Sequence, residues 1–290
     1  MKLIALMPVR NEDWCLWYTL PRLLDWCDEV VVGLHSCTDG SVEMVNEVSR
    51  QSSGRVSWYH VSDPEWHECQ HRQRLLDTAR SRGATHVVIV DADEVLTANL
   101  LHLIRPCVEE NTKNGHILQL PWVCLARGLD FYYAAGPWFN NWVTTAFRDA
   151  PEAHWKARDG YDFHHRHPMG LRPLFTRPVP QREGGLFHLQ FVSERRLKAK
   201  QALYKLTERL RWPDREPVQM VDKRYNLAVY DSNPAKLATS EVPRSWWPDR
   251  DGAQGLITAP DVIPWQETEC QKLVYAYPKL RDGLDLFGVA

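Results

Sequence analysis

The chain predicts an α/β fold with a mostly parallel sheet and flanking helices, followed by a loop-rich and helical C-terminal elaboration. Three observations carry this. Short, β-branched apolar runs recur at residues 3–7, 30–34, 56–61, 87–90 and 117–123, as strands buried on both faces should read. Stretches with helical spacing lie between them, at 14–24, 42–48, 69–79 and 96–108. The repeat is about thirty residues, the length of a right-handed βαβ unit.

The alternation organises residues 1–125 into an α/β half. From about Leu125 it fails, and residues 126–187 are rich in aromatics, Gly, Pro, Arg and His. A helix is expected again from Ser193, a good N-cap, to Leu210. Residues 126–290 thus read as an elaboration packed on the same domain, with an acceptor-side wall at 126–187. No internal repeat appears beyond the βα alternation.

With 290 residues, 44% of them hydrophobic, the chain can form a packed core, and wholesale disorder is excluded. A net charge of -2 argues against a uniformly nucleic-acid-like protein. The distribution is uneven. Residues 1–151 carry 13 Lys/Arg against 19 Asp/Glu, whereas 152–224 carry 16 against 9 together with five His. That middle segment suits an anionic partner. The seven Cys form no CxxC pair or zinc quartet, which reads as reduced thiols. No apolar stretch reaches the roughly 18–20 residues of a membrane span, and no signal peptide precedes the first run, so a cytoplasmic location is expected.

In parallel sheets ligands bind beyond the carboxyl ends of the strands. Here those ends are Pro8-Val9-Arg10-Asn11-Glu12, His35-Ser36-Cys37-Thr38-Asp39-Gly40-Ser41 and Asp91-Ala92-Asp93-Glu94. All are polar segments after apolar strands. If residues 91–93 are extended, Asp91 and Asp93 point to one side and can hold a hard divalent cation. The plainer alternative is that Asp91 caps the next helix, with Asp93 and Glu94 loading its dipole.

In this order and spacing, the first segment, then Val30-Val31-Val32 with Cys37-Thr38-Asp39-Gly40-Ser41, then Asp91-Ala92-Asp93-Glu94, resemble family 2 glycosyltransferases with the Rossmann-related GT-A fold. The resemblance covers about residues 3–125. It continues more loosely through Phe187-His188-Leu189-Gln190, Lys198, Lys200 and Tyr204. It implies a nucleoside diphosphate sugar donor and a divalent metal, Mn2+ or Mg2+. Pro8, Arg10, Asn11, Glu12, His35, Asp39 and Arg72 would line the nucleotide. Asp93 would hold the metal, Asp91 the metal or the ribose, and His188 would complete the metal site; a hydrogen-bonded core His is the alternative. The family's acidic pair that contacts the base is replaced by Leu34 and His35.

The resemblance implies a hexosyl- or pentosyltransferase that moves sugar to a hydroxyl. An inverting reaction needs a carboxylate to take the hydroxyl proton. Glu183 and Asp162 are the candidates favoured by location, with Asp149 and Asp159 also open. The cluster Tyr161-Asp162-Phe163-His164-His165-Arg166-His167 and the basic run Arg195-Arg196-Leu197-Lys198-Ala199-Lys200 are expected to meet an anionic or glycan acceptor. Nucleic acid, as a hydroxymethylated base, also fits that charge. Two other classes stay open. A nucleotidyltransferase acting on a sugar phosphate would favour a Gly-rich first loop, which is absent. A non-catalytic sugar- or nucleic-acid-binding module would not need Asp91 and Asp93.

Overall fold

In a computed structural model of the chain, residues 1–232, 236–257 and 262–290 are described. The elements run β1 (Leu3–Val9), α1 (Asp13–Leu23), β2 (Glu29–His35), α2 (Ser41–Gln51), β3 (Val56–Val61), α3 (Glu68–Ser81), β4 (His86–Ile89), β5 (Glu94–Leu96), α4 (Leu101–Asn111), β6 (Ile117–Cys124), β7 (Phe131–Tyr133), β8 (Trp142–Arg148), β9 (Phe175–Thr176), β10 (Leu186–His188), α5 (Glu194–Arg211), α6 (Val218–Tyr230), β11 (Thr239–Glu241) and α7 (Trp265–Ala276). By contacts the chain resolves into two units. One comprises Met1–Val123, Asn140–Phe187 and Pro243–Gly252; the other comprises Cys124–Phe139, His188–Val242 and Ala253–Ala290.

The first unit carries the main sheet, in the order β3-β2-β1-β4-β8-β6-β10-β5, with β9 beside β6. β3, β2, β1 and β4 are mutually parallel, which bears out the expected fold class. Alternation along β1 shows why its sequence is apolar throughout. Leu3, Ala5, Met7 and Val9 join one core layer with Leu16 and Leu20 of α1, Val45 of α2 and Ile104 of α4. Ile4 and Leu6 join another, with Leu75, Leu76 and Ala79 of α3.

Two expectations need correction. The run at 117–123 does not extend the parallel block directly, because β8 stands between β4 and β6, antiparallel to both. The helix expected over 96–108 begins at Leu101; β5 and a short 3-10 turn, Ala98–Leu100, come first.

In the second unit, α5 packs with α7 around Ala199, Ala202, Leu206, Cys270 and Leu286. Ser193 caps α5, accepting the Arg196 N–H at 3.4 Å, as expected. β7 and β11 form an antiparallel pair. None of the seven cysteines, all of which are described, is in a disulfide. Among the described residues no helix is long and apolar enough to cross a membrane.

Candidate functional site

The chain steps from β1 outward through β2 to β3, then returns to place β4 on the other side of β1. The carboxyl ends of β1 and β4 are therefore the topological switch point, where open α/β sheets bind ligands. Pro8 helps to open it. The β1–β4 ladder ends at the Leu6–Ile89 pair, while Pro8 still pairs in register with Gly33 of β2. Its missing N–H costs no bond on the β4 side.

Beyond β1 and β2 the backbone turns sharply. Asn11 and Ser36 lie in the left-handed region, at φ 55° and 44°. Hydrogen bonds lace the two loops together. Asn11 accepts the Thr38 N–H at 2.7 Å, and Ser41 Oγ accepts the Glu12 N–H at 2.9 Å. Asp39 accepts from the Asp13 N–H at 3.0 Å while Asp13 accepts from the Gly40 N–H at 3.2 Å, so Asp39 serves the first residue of α1 and Asp13 the residue that precedes α2. Asn11, Glu12 and Asp39 are thus brought together, beside the half-buried Arg10.

The segment after β4 is a turn. The Glu94 N–H donates to the Asp91 carbonyl at 3.1 Å, and β5 starts at once, so residues 91–93 are not extended. No helix follows for Asp91 to cap. Instead Asp91 is held between two guanidinium groups: Arg72 meets Oδ1 at 3.1 Å and Arg166 meets Oδ2 at 3.1 Å. Arg72 also donates to Glu68 at 2.9 Å. Glu94 is fully buried and accepts from Arg166 twice, at 2.7 and 2.8 Å, from Trp122 Nε1 at 2.6 Å and from the Asp91 N–H at 3.0 Å. Charge thus alternates along Glu68, Arg72, Asp91, Arg166 and Glu94. Burial pushes the Glu94 carboxyl up, offset in part by Arg166. Burial works against the charge on Arg72, yet Asp91 and Glu68 hold it protonated above its ordinary range. Asp91 is the exposed member, its side chain 34% accessible.

Other candidates stand elsewhere. His35 is buried, with Nε2 3.0 Å from the Glu65 carbonyl and its ring against His71 and Trp66. Asp162 is buried and accepts the Cys69 N–H at 2.6 Å, acting as a remote cap for α3. Asp149 pairs with Arg80 at 2.9 Å. The Glu183 side chain is 61% exposed, and its carbonyl accepts from Asn99 at 2.7 Å. In the second unit, His188 is buried with its ring edge-on to Phe191. Along the basic run Arg195 pairs with Glu267, Lys198 pairs with Glu194, and Arg196 is buried.

Trp122 and Glu68 carry no functional signal in the sequence, and Arg166 reads there as part of the acceptor-side cluster, not as a partner of Asp91. Nothing in its spacing links it to Asp91.

The donor set bears on the divalent cation that the resemblance implies. A hard cation needs carboxylate oxygens that do not already carry positive partners. Asp91 carries one on each oxygen, so the turn does not fit a cation clamped by both Asp91 and Asp93. Among the described residues no three His, Cys, Asp or Glu side chains gather as a metal cage.

No protein-family profile matches the chain, and no curated protein sequence does. Solved structures align with much of the chain at low identity and low TM-scores. S. aureus TarS 1-349 in complex with UDP aligns over 98% of this chain and 83% of its own, at 12% identity and a TM-score of 0.46. The mannosyltransferase PcManGT from Pyrobaculum calidifontis, in complex with GDP-Man and Mn2+, aligns over 96% of this chain and 75% of its own, at 15% identity and a TM-score of 0.38. A 4-diphosphocytidyl-2C-methyl-D-erythritol synthase aligns over 63% of this chain and 90% of its own, at 15% and 0.38. At these values the likeness decides neither activity nor substrate.

Proposed function

We propose that the chain is a glycosyltransferase that moves a sugar from a nucleoside diphosphate sugar to a hydroxyl acceptor with inversion. One observation carries the reading. At the β1/β4 switch point, two hydrogen-bonded strand-end loops face a turn bearing an oriented, part-exposed carboxylate, Asp91. The Asp91 carboxylate is an acceptor whose side chain is 34% accessible, so the group suits a donor hydroxyl. A divalent cation, when bound, would neutralise charge on the departing diphosphate. Asp93 is the carboxylate proposed toward it. Glu183 is the proposed general base, since Asp162 is committed to α3. With Arg166 tied to Asp91 and Glu94, a neutral glycan hydroxyl suits the acceptor better than a polyanion.

The test is a panel of nucleoside diphosphate sugars, with and without Mn2+, followed by calorimetry and donor hydrolysis. Binding confined to one nucleobase class, with slow hydrolysis, is expected. Failure to bind any member would overturn the reading. Within it, Asp93→Asn should weaken Mn2+-stimulated donor binding by about tenfold or more. Unchanged affinity in Mn2+ would remove Asp93 from the metal.

A further inference from the structure

Arg166 arrives from the long connection between β8 and β9, 75 residues beyond Asp91 in sequence. A guanidinium has five N–H donors, and all of them are used. Nε donates to the Thr144 carbonyl at 2.9 Å, one terminal nitrogen to Asp91 and Glu94, and the other to the Ile89 carbonyl at 2.8 Å and to Glu94. These acceptors come from β4, β8, the turn and the first residue of β5. We infer that Arg166 is a positioning residue for the donor side: it fixes the turn Asp91–Glu94 and the plane of the Asp91 carboxylate, and touches no ligand itself. This rests on the glycosyl-donor reading above.

Three features support it. With every donor engaged, Arg166 has nothing to offer a diphosphate or an acidic acceptor. Its planar fork sets the direction of each bond, which a lysine ammonium cannot do. Arg72 grips the opposite oxygen of Asp91 and is itself held by Glu68, so the carboxylate is fixed from both sides. Shifts of about 1 Å in such a group are enough to weaken binding and slow reaction. The arrangement also explains why a long loop without helix or strand closes over the sheet at this point: its arginine completes the strand end.

The experiment compares wild type, Arg166→Lys, Asp91→Ala and the Arg166→Lys/Asp91→Ala pair. The probe is whichever donor of the panel the wild type binds. Donor Kd is read by calorimetry well below each variant's melting temperature, with near-UV circular dichroism and Tm recorded in parallel. Arg166→Lys is expected to raise the donor Kd by about 10- to 100-fold, as loss of an outer-layer partner does. In the Asp91→Ala background the same change should add little, because Arg166 acts through Asp91. A merely structural Arg166 would lower Tm and leave the Kd of folded protein unchanged. That result, or equal losses in both backgrounds, overturns the inference. No donor binding by the wild type overturns the functional reading and this inference together. Should Arg166→Lys fail to fold, Arg166→Met with Glu94→Gln removes both buried charges and serves for the same comparison.

Discussion

Replacing Glu94 by alanine is expected to cost about 3–5 kcal/mol of stability, the range for breaking a buried ion pair by removing one partner. The side chain is fully buried and accepts four hydrogen bonds, two of them from Arg166. Without it, Arg166 keeps only Asp91 as a charged partner, and the Trp122 N–H loses its acceptor. Glu94→Gln keeps the shape but has a single acceptor oxygen, so it can accept from Trp122 or from the Asp91 N–H and not from both, which bond to different oxygens of Glu94, and it loses the charge. About 1–3 kcal/mol is expected for it, the cost of a weakened buried bond. Asp91→Asn, on a part-exposed group, should cost less than either. Urea unfolding followed by tryptophan fluorescence gives the order. A Glu94→Ala cost under about 1 kcal/mol, typical of exposed pairs, would show that the alternating charges at this strand end do not hold it together.

The parallel block was legible in the sequence because its strands are buried on both faces. Residues 3–9 and 29–35 need no polar face, so their apolar runs stand out. β8 was not legible, although it too is buried. Thr144 and Thr145 interrupt its apolar run, and their hydroxyls are satisfied inside: Thr145 Oγ1 donates to the Val143 carbonyl and accepts the Leu120 N–H. Polarity alone makes such a strand look like a loop. The strand-end position of Asp91 was legible for the same reason as the strands. Its partners were not, since ion pairs at separations of 19 and 75 residues leave no periodicity. Two candidates show how position differs from orientation. His35 stands at a strand end but turns inward under Trp66 and His71. Asp162 sits in the expected acceptor loop, yet its carboxylate supplies α3 with the N-terminal cap that His67 does not.

The same imidazole cluster makes stability fall steeply with acid. His35 and His71 are 1% and 8% exposed, and both are lowered from 6.5 to about 4. Burial is the main cause for each; the Arg10 charge adds to it at His35, and the neighbouring His35 and His67 add to it at His71. Asp63 works against both shifts, the Glu65 carbonyl against that of His35 and Asp162 against that of His71. His35 Nδ1 and His71 Nε2 are buried without a hydrogen-bond partner, so a proton added there would have no acceptor. The unfolded chain takes up these protons near 6.5 and the folded chain only near 4, so the unfolded state binds more protons between those values. Stability from this pair is therefore complete above about pH 6.5, declines between 6.5 and 4, and does not decline further below. A shift of this size corresponds to about 3 kcal/mol for one group, and less than twice that for two because the rings are coupled. His86 and His167, also lowered chiefly by burial, act with the same sign. Urea unfolding at a series of pH values should give a slope of one to two protons over that window in wild type. His71→Gln should flatten it, and His35→Gln combined with His71→Gln should flatten it further. A wild-type stability that is level from pH 6.5 to 4.5 would mean that the two rings carry protons in the folded protein.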